Sequence, residues 1–177
     1  APIVGERMAH PDLKIGYFAQ DHAADFASDE NLTDWISGYV RAGGYEGSDV
    51  DTLIRGTLGR LLFSGDDVKK PVKVISGGEQ GRMLFGRLML LHSNIMLMDE
   101  PFSAVDPIVR GQLQDEFLRL QREMGKTILI SSHILSELAQ LCTRIGIIEL
   151  GRMVAEGSLS QIYRQLQLMR VVHIRAD

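Results

Sequence analysis

The sequence predicts an α/β protein built on a parallel sheet, with a helical segment inserted between its strands. Three observations carry that expectation. Ile95-Met-Leu-Met98 is an unbroken apolar run ending in Asp99 and Glu100, as a strand buried on both faces of a parallel sheet reads. Thr127-Ile-Leu-Ile-Ser-Ser132 reads as another buried strand, and a helix-period stretch separates the two, which is the alternation of strand–helix–strand units. Between residues 31 and 91 the apolar spacing turns helical.

Taken in order, Ala1–Asp12 is loop-like, broken by Pro2, Gly5 and Pro11. Leu13–Ala19 alternates as a strand and ends at Gln20, with His22 expected to be solvated in the following loop. Thr33 is placed to cap a helix that carries Trp35, Ile36, Tyr39 and Val40 on one stripe, read as core packing, and Gly43-Gly44 breaks it. A second helix starts at Asp49 or Asp51 and carries Val50, Leu53, Ile54, Leu58, Leu61 and Leu62 at helical spacing until Ser64-Gly65. The acidic-then-basic run Asp66–Pro71 reads as a solvated loop.

Ser76-Gly77-Gly78 opens the next helix, which runs to about Leu91 with Met83, Leu84, Leu88 and Leu91 inward. A hydroxyl and backbone N–H groups converge there at the positive end of a helix, a geometry that suits a phosphate. Arg82 and Arg87 lie on a different stripe, to be solvated or paired with acids. Asp99 and Glu100 stand at the carboxyl end of their strand, where ligands sit in parallel sheets. Two acids there place one carboxylate for a metal and one for a water, and a dry core would not tolerate them unpaired.

Asp106-Pro107 is an N-cap and first-turn pair, and the helix behind it carries Val109, Leu113, Phe117 and Leu120 before stopping at Gly125. His133 falls just past the next strand, placed to reach the same pocket, and with a pKa near neutrality it can exchange a proton with a phosphate as charge develops. A helix follows with Leu135, Leu138, Leu141 and Cys142 inward. Arg144–Leu150 and Arg152–Glu156 form a hairpin turning at Gly151. Ser158 caps a last helix with Leu159, Ile162, Tyr163 and Leu166, and Met169–Arg175 forms a short strand. His10, His22, His92 and His173 show no metal-ligand spacing.

The 177 residues suffice for one domain or for part of a larger one, and 45% hydrophobic with 24% charged residues is an ordinary globular balance. A net charge of −4 and a pI near 5.7 argue against an extended nucleic-acid surface. One cysteine allows no internal disulfide, which fits a reducing cytoplasmic setting. Leu88–Met98, the longest uncharged run near the centre, is too short to span a bilayer, and the first residues lack a signal-peptide pattern. Starting at Ala rather than Met, the chain reads as a fragment.

These motifs, in this order, resemble those of the ATP-binding-cassette (ABC) ATPases, over nearly the whole chain. Ser76-Gly77-Gly78-Glu79-Gln80 resembles their signature motif, Ile95–Asp99-Glu100-Pro101 their Walker B strand with its catalytic glutamate, and Ser103–Asp106 their D-loop. Gly16–Gln20 resembles the strand and Q-loop, and His133 the H-switch. The resemblance implies a P-loop NTPase-like fold. It divides a partial domain into residues 1–30 (strand and Q-loop), 31–91 (helical subdomain with the signature), 92–150 (Walker B, D-loop and H-switch core) and 151–177 (hairpin and helix). It implies ATP and Mg²⁺ as cofactors and a sandwich dimer with a second ABC domain. In that dimer Ser76 and Gly78 contact the γ-phosphate held by the other subunit, Asp99 and Gln20 support Mg²⁺, Glu100 polarises water, and Gln20 and His133 complete the site. Gly77, Glu79, Gln80 and Asp106 belong with the nucleotide-facing set.

No Gly-x-x-x-x-Gly-Lys-Ser/Thr occurs in the chain, and too few residues precede Gln20 for the strand, loop and helix it requires. An N-terminally truncated cassette that binds ATP poorly alone is therefore expected. Residues 13–100, with Gly16-Tyr-Phe-Ala-Gln-Asp-His22, resemble the ABC-F class of soluble ribosome-associated ATPases, which continue after Asp-Glu-Pro with Thr-Asn-His-Leu-Asp. Residues 101–177, with Pro101-Phe-Ser-Ala-Val-Asp-Pro107 and Ser131-Ser-His-Ile-Leu-Ser-Glu137, resemble ATPase subunits of membrane exporters. A hybrid joined at the shared motif, natural or engineered, accounts for both. The partner is then a membrane permease or the ribosome, with the chain in the cytoplasm, at the inner membrane face where a permease holds it. A non-catalytic interaction module, inactive alone, is the other reading.

Overall fold

The computed structural model describes residue 6 and residues 8–103 and 105–168. The expected strand at Met169–Arg175 lies outside them. Two compact units result, Ala1–Ser131 and Ser132–Asp177.

The first unit holds a three-stranded parallel sheet in the order β1 (Ile15–Phe18), β2 (Ile95–Asp99), β3 (Thr127–Ser131). Phe18 stands beside Met98, which stands beside Ile130, and Asp99 stands beside Ser131. The ends of the three strands therefore share one edge. Parallel neighbours need long crossovers, and here the helical insert supplies the first of them. It comprises α1 (Leu32–Ala42), α2 (Val50–Arg60) and α3 (Gly77–Leu90). The second crossover is α4 (Pro107–Arg122).

Helix α1 starts one residue before the expected cap: Asn31, not Thr33, is the N-cap, its side-chain oxygen accepting from Asp34 N–H at 2.9 Å. Trp35, Ile36 and Val40 are buried as the stripe requires, and Trp35 stacks on Phe26 at 5.0 Å. Helix α2 ends at Arg60, earlier than expected, because the chain turns through a left-handed Leu62 (φ 63°). Leu61 stays fully buried while Leu62 is turned outward. Helix α3 buries Met83, Leu84 and Leu88 as expected, but Leu91 is its cap and only half-buried. Gly86 admits α3 to the insert: a Cβ there would collide with Leu61 and touch Ile36 and Thr57 at 3.5 Å.

The sheet corrects one expectation. β2 and β3 were expected to be buried on both faces, yet only the face carrying Phe18, Met96 and Met98 is closed, with α3 packed over β1. On the other face Ile15 (46%), Tyr17 (55%) and Leu129 (66%) are exposed. An apolar run is the same on paper whether one or both faces are covered, so sequence alone does not separate the cases. His22, expected in solvent, is half-buried: its Nδ1 bonds the Ala19 carbonyl at 3.0 Å and its ring meets Phe18 and Phe26 edge-on.

In the second unit, α5 (Leu135–Leu141) leads to an antiparallel hairpin of β4 (Ile145–Glu149) and β5 (Arg152–Gly157), then α6 (Leu159–Leu168). Leu150 and Gly151, both at positive φ, make the two-residue turn whose twist suits a hairpin. Ser158 caps α6, with Gln161 N–H donating to its Oγ at 3.4 Å. Ile162 is buried as predicted, whereas Tyr163 is 47% exposed. Cys142 is half-buried, and burial raises its thiol pKa, so it stays protonated as a packing residue.

Candidate functional site: a helix-end cavity and a sheet edge

Two clusters in the first unit gather most of the residues singled out from sequence. The first surrounds a cavity of about 360 Å³ at the start of α3, lined by Ser76, Gly77, Gly78, Glu79, Arg82, Val105, Asp106 and Val109. Ser76 is the N-cap, and a complete capping box forms. Ser76 N–H and Oγ donate to one Glu79 carboxylate oxygen at 2.7 and 2.8 Å, and Glu79 N–H donates back to Ser76 Oγ at 3.3 Å. The amides of Gly77 and Gly78 come too early to reach a carbonyl of their own helix, so they stand at its positive end. Asp106 immediately precedes α4 and its carbonyl accepts from Arg110 N–H at 2.8 Å. Gln80 is absent from the lining; its Nε2 donates to the Ile75 carbonyl at 3.4 Å.

Charge in this cavity is balanced locally. Burial raises the Glu79 pKa, but the bonds from Ser76, with Lys70 and Arg82 nearby, outweigh it and hold the carboxyl below its ordinary range. Burial lowers the Arg82 pKa against the opposing pull of Glu79 and Asp67. The cluster thus pairs a helix dipole and one cation with two acids.

The second cluster is the sheet edge. Asp99 ends β2, half-buried, and its Oδ1 accepts from Ser131 Oγ at 2.5 Å. Glu100 follows in left-handed backbone (φ 47°), its N–H donating to the Ser131 carbonyl at 3.1 Å and its carbonyl accepting from Ser103 N–H at 3.1 Å. A non-glycine residue there costs about 1–3 kcal/mol, and such strain gathers at functional positions. Gln20 lies two residues beyond the end of β1, exposed at the same edge. Asp99 and Glu100 are not among the residues that line the α3 cavity. His133 follows β3 by two residues and belongs to the second unit.

Ser131 and Arg82 were not foreseen as site residues. A polar residue ending an apolar strand, in register with an acid on the neighbouring strand, is the signal for Ser131. Arg82, one helical turn beyond Glu79, had only its i,i+3 spacing to announce it. No three His, Cys, Asp or Glu among the described residues cluster as a metal cage. A half-buried Asp99 carboxylate at the end of β2 still fits Mg²⁺, which binds through one or two protein oxygens and completes its shell with water and substrate phosphates. No helix among the described residues is long and apolar enough to cross a membrane.

Comparisons with known proteins bear on the family and the fold. Residues 1–103 match the ABC transporter family. Among relatives, the "Probable ATP-binding protein YbiT" of Escherichia coli O157:H7 is 42% identical over 134 residues, 76% of this chain and 24% of that protein. The "Carnitine transport ATP-binding protein OpuCA" of Listeria monocytogenes serotype 1/2a is 43% identical over 90 residues, 51% of this chain and 23% of that one. The chain thus spans about a quarter of the length of these relatives. Among solved structures, the ATP-binding cassette MJ0796, a dimer bound to ADP and Pi in a post-hydrolysis state, superposes with a TM-score of 0.70 at 20% identity. The match covers 83% of this chain and 63% of that one, and it shows the fold.

Proposed function

Since the chain belongs to the ABC transporter family, we propose that it forms part of the ATP-binding domain of an ABC ATPase and works in a sandwich with a second ABC cassette. The observation that carries this reading is the α3 cavity, where Ser76, Gly77 and Gly78 at the start of the helix line the same opening as Asp106. In the sandwich Ser76 and Gly78 contact the γ-phosphate of ATP seated on the partner's phosphate-binding loop, and Gly77, Glu79 and Gln80 shape the turn that presents them. At the sheet edge, Asp99 and Gln20 hold Mg²⁺, and Glu100 orients and deprotonates the attacking water; for His133 the family resemblance implies a donor to the developing charge. Mg²⁺, when bound with the nucleotide, neutralises phosphate charge. Catalysis of this kind is mainly positioning, and backbone strain at Glu100 fits a residue held for aim.

No Gly-x-x-x-x-Gly-Lys-Ser/Thr occurs in this sequence, and on this reading the chain alone binds ATP poorly or not at all. A permease of a transport system is the further partner, in keeping with relatives that serve as transport ATP-binding proteins, and the domain then works at the cytoplasmic face of a membrane. The ABC-F resemblance of residues 13–100 offers a ribosome-linked role instead. Thermal melting tests the reading. Ligand at 100-fold above its dissociation constant stabilises by about 2.7 kcal/mol, so Mg²⁺-ATP leaves the melting temperature of the isolated chain unchanged, while a partner cassette with a phosphate-binding loop captures the chain only with ATP. A shift in the chain alone, lost in Asp99→Ala, overturns the in-trans arrangement. Capture without ATP dependence makes the chain a non-catalytic interaction module.

A further inference from the structure

Resting on the phosphate-facing reading of Ser76, we propose that Arg82 is the positioning residue of the α3 cavity, holding the end of α2 and the first turn of α3 together through Glu79. The Arg82 Nη1 donates to the Leu61 carbonyl at 2.8 Å and to the Leu62 carbonyl at 3.3 Å. The guanidinium carbon lies 4.4 Å from the centre of the Phe63 ring. The Nη2 stands 4.0 Å from Glu79 Oε1, and the side chain is only 13% exposed. One residue thus touches three consecutive positions beyond α2 and the carboxylate that holds Ser76.

The sequence prepares both ends of this link. Helix α2 stops at Arg60, so the carbonyls that follow have no helical donor and stand at the negative end of the helix. The left-handed turn at Leu62 brings its carbonyl alongside that of Leu61. A planar guanidinium with five donors can serve two carbonyls and still face a carboxylate, while stacking on a ring; an ammonium cannot. At the other end Glu79 accepts both bonds from Ser76 through Oε2, leaving Oε1 toward Arg82.

That division defines a step. The Ser76 hydroxyl now donates to Glu79, so an incoming phosphate oxygen must take over as its acceptor. No proton changes owner; the hydroxyl rotates. Glu79 is then left with a carboxylate near a phosphate, and Arg82, at 4.0 Å and beyond hydrogen-bond length, is the cation placed to take it up. Lys70 is the other cation acting on Glu79. Arg82 therefore offsets the repulsion that Glu79 would exert on the phosphate, and it keeps the end of α2 from drifting as the exchange occurs.

Arg82→Met, Arg82→Lys and Glu79→Gln test this. Carboxyl titration by NMR on the intact chain follows Glu79, and amide exchange follows Ser76 and Glu79. Arg82→Met moves the Glu79 midpoint upward and speeds exchange of both amides about tenfold. Arg82→Lys keeps the charge, so the midpoint stays near its original position while exchange is intermediate. In ATP-dependent capture by a partner cassette, Arg82→Met raises the ATP needed about tenfold, and adding Glu79→Gln restores most of it. If either arginine variant loosens the fold yet leaves the Glu79 midpoint and the Ser76 amide untouched, Arg82 is only a packing residue and the proposal fails. If Arg82→Met unfolds, a displaced Glu79 midpoint in Arg82→Lys alone overturns it. Should Ser76→Ala leave capture intact while Arg82→Met still shifts Glu79, the phosphate reading falls and the positioning role stands.

Discussion

Arg87 Nη1 lies 3.1 Å from an Asp25 carboxylate oxygen, joining α3 to the short 3₁₀ turn Ala23–Phe26 that follows Gln20. The other terminal nitrogen donates to the Tyr17 carbonyl of β1 at 3.4 Å, and the guanidinium lies 5.5 Å from the centre of the Tyr39 ring. The Trp35 indole donates to the Asp25 carbonyl at 3.1 Å. The segment behind Gln20 is therefore held from two sides by the helical insert, and movement of α3 reaches Gln20 through a few short bonds.

Arg87→Ala loses the ion pair, the Tyr17 carbonyl bond and the ring contact, and is expected to lower the stability read from urea unfolding by about 1–2 kcal/mol. Asp25→Asn keeps the shape and costs less than about 1 kcal/mol. A double-mutant cycle reads the coupling directly, and additive effects would show that the two residues do not act on each other.

Glu100→Gln keeps the shape of the side chain and removes its base. In a chain joined to an N-terminal segment that supplies the phosphate-binding loop, this variant should bind ATP, accumulate as a closed dimer and lose turnover. Phosphate release at the parental rate would assign the base elsewhere. In the unmodified chain the same substitution should leave ATP-dependent capture by a partner unchanged, because capture uses Ser76 and Gly78 rather than Glu100.

Acid should loosen α3 in a defined window. The Glu79 pKa is lowered in the folded chain, so its contribution to stability is present above the ordinary value of 4.5 and fades as pH falls through the folded value. A plot of unfolding stability against pH should therefore decline on the acid side with a component that Glu79→Gln removes. An unchanged slope in that variant would mean that Glu79 contributes no linkage.

Two glycines in helices should respond with opposite signs. Gly86→Val drives a branched side chain into Leu61, Ile36 and Thr57, all buried, and is expected to destabilise by about 1–3 kcal/mol. Gly56 in α2 has open space where its Cβ would be, so Gly56→Ala should stabilise by about 0.5–1 kcal/mol. Thermal unfolding of the two variants side by side decides the matter.

What the sequence made legible was local or periodic. The cap at Ser76, the hairpin turn at Gly151, the stripe through Trp35 and the common edge of the strands before Gln20 and Asp99 all follow from short-range rules. The early end of α2 escaped because Leu62 looks like one more member of a helical stripe, and only its backbone shows the turn. Arg82 and Arg87 pair with acids, as one of the two expected options had it, but most of their partners were not legible, because a long cation on a helix names no partner and their hydrogen-bond acceptors lie 20 or more positions away in the chain. The open sheet face escaped because apolar spelling records what a strand can bury and says nothing of what arrives to bury it. His133 stands in a different unit from Asp99, so its meeting with the acids, expected from sequence, remains part of the proposal.

The position of β3 has a consequence for how this protein behaves in a tube. Within the first unit, among the described residues, β3 is the last strand of its sheet, paired with β2 on one side and unpaired on the other, and it carries an uncharged Thr-Ile-Leu-Ile-Ser stretch. Natural sheets guard such margins with charge, proline or a bulge; here the strand itself carries none of these, and Lys126, just before it, has its ammonium donating to the Ser93 carbonyl at 2.6 Å. An unguarded margin of this composition is a template for strand-to-strand growth between copies. Concentrating the chain therefore sets native folding in competition with fibrillar self-association, and a charged residue in place of Leu129 is the change that would separate them.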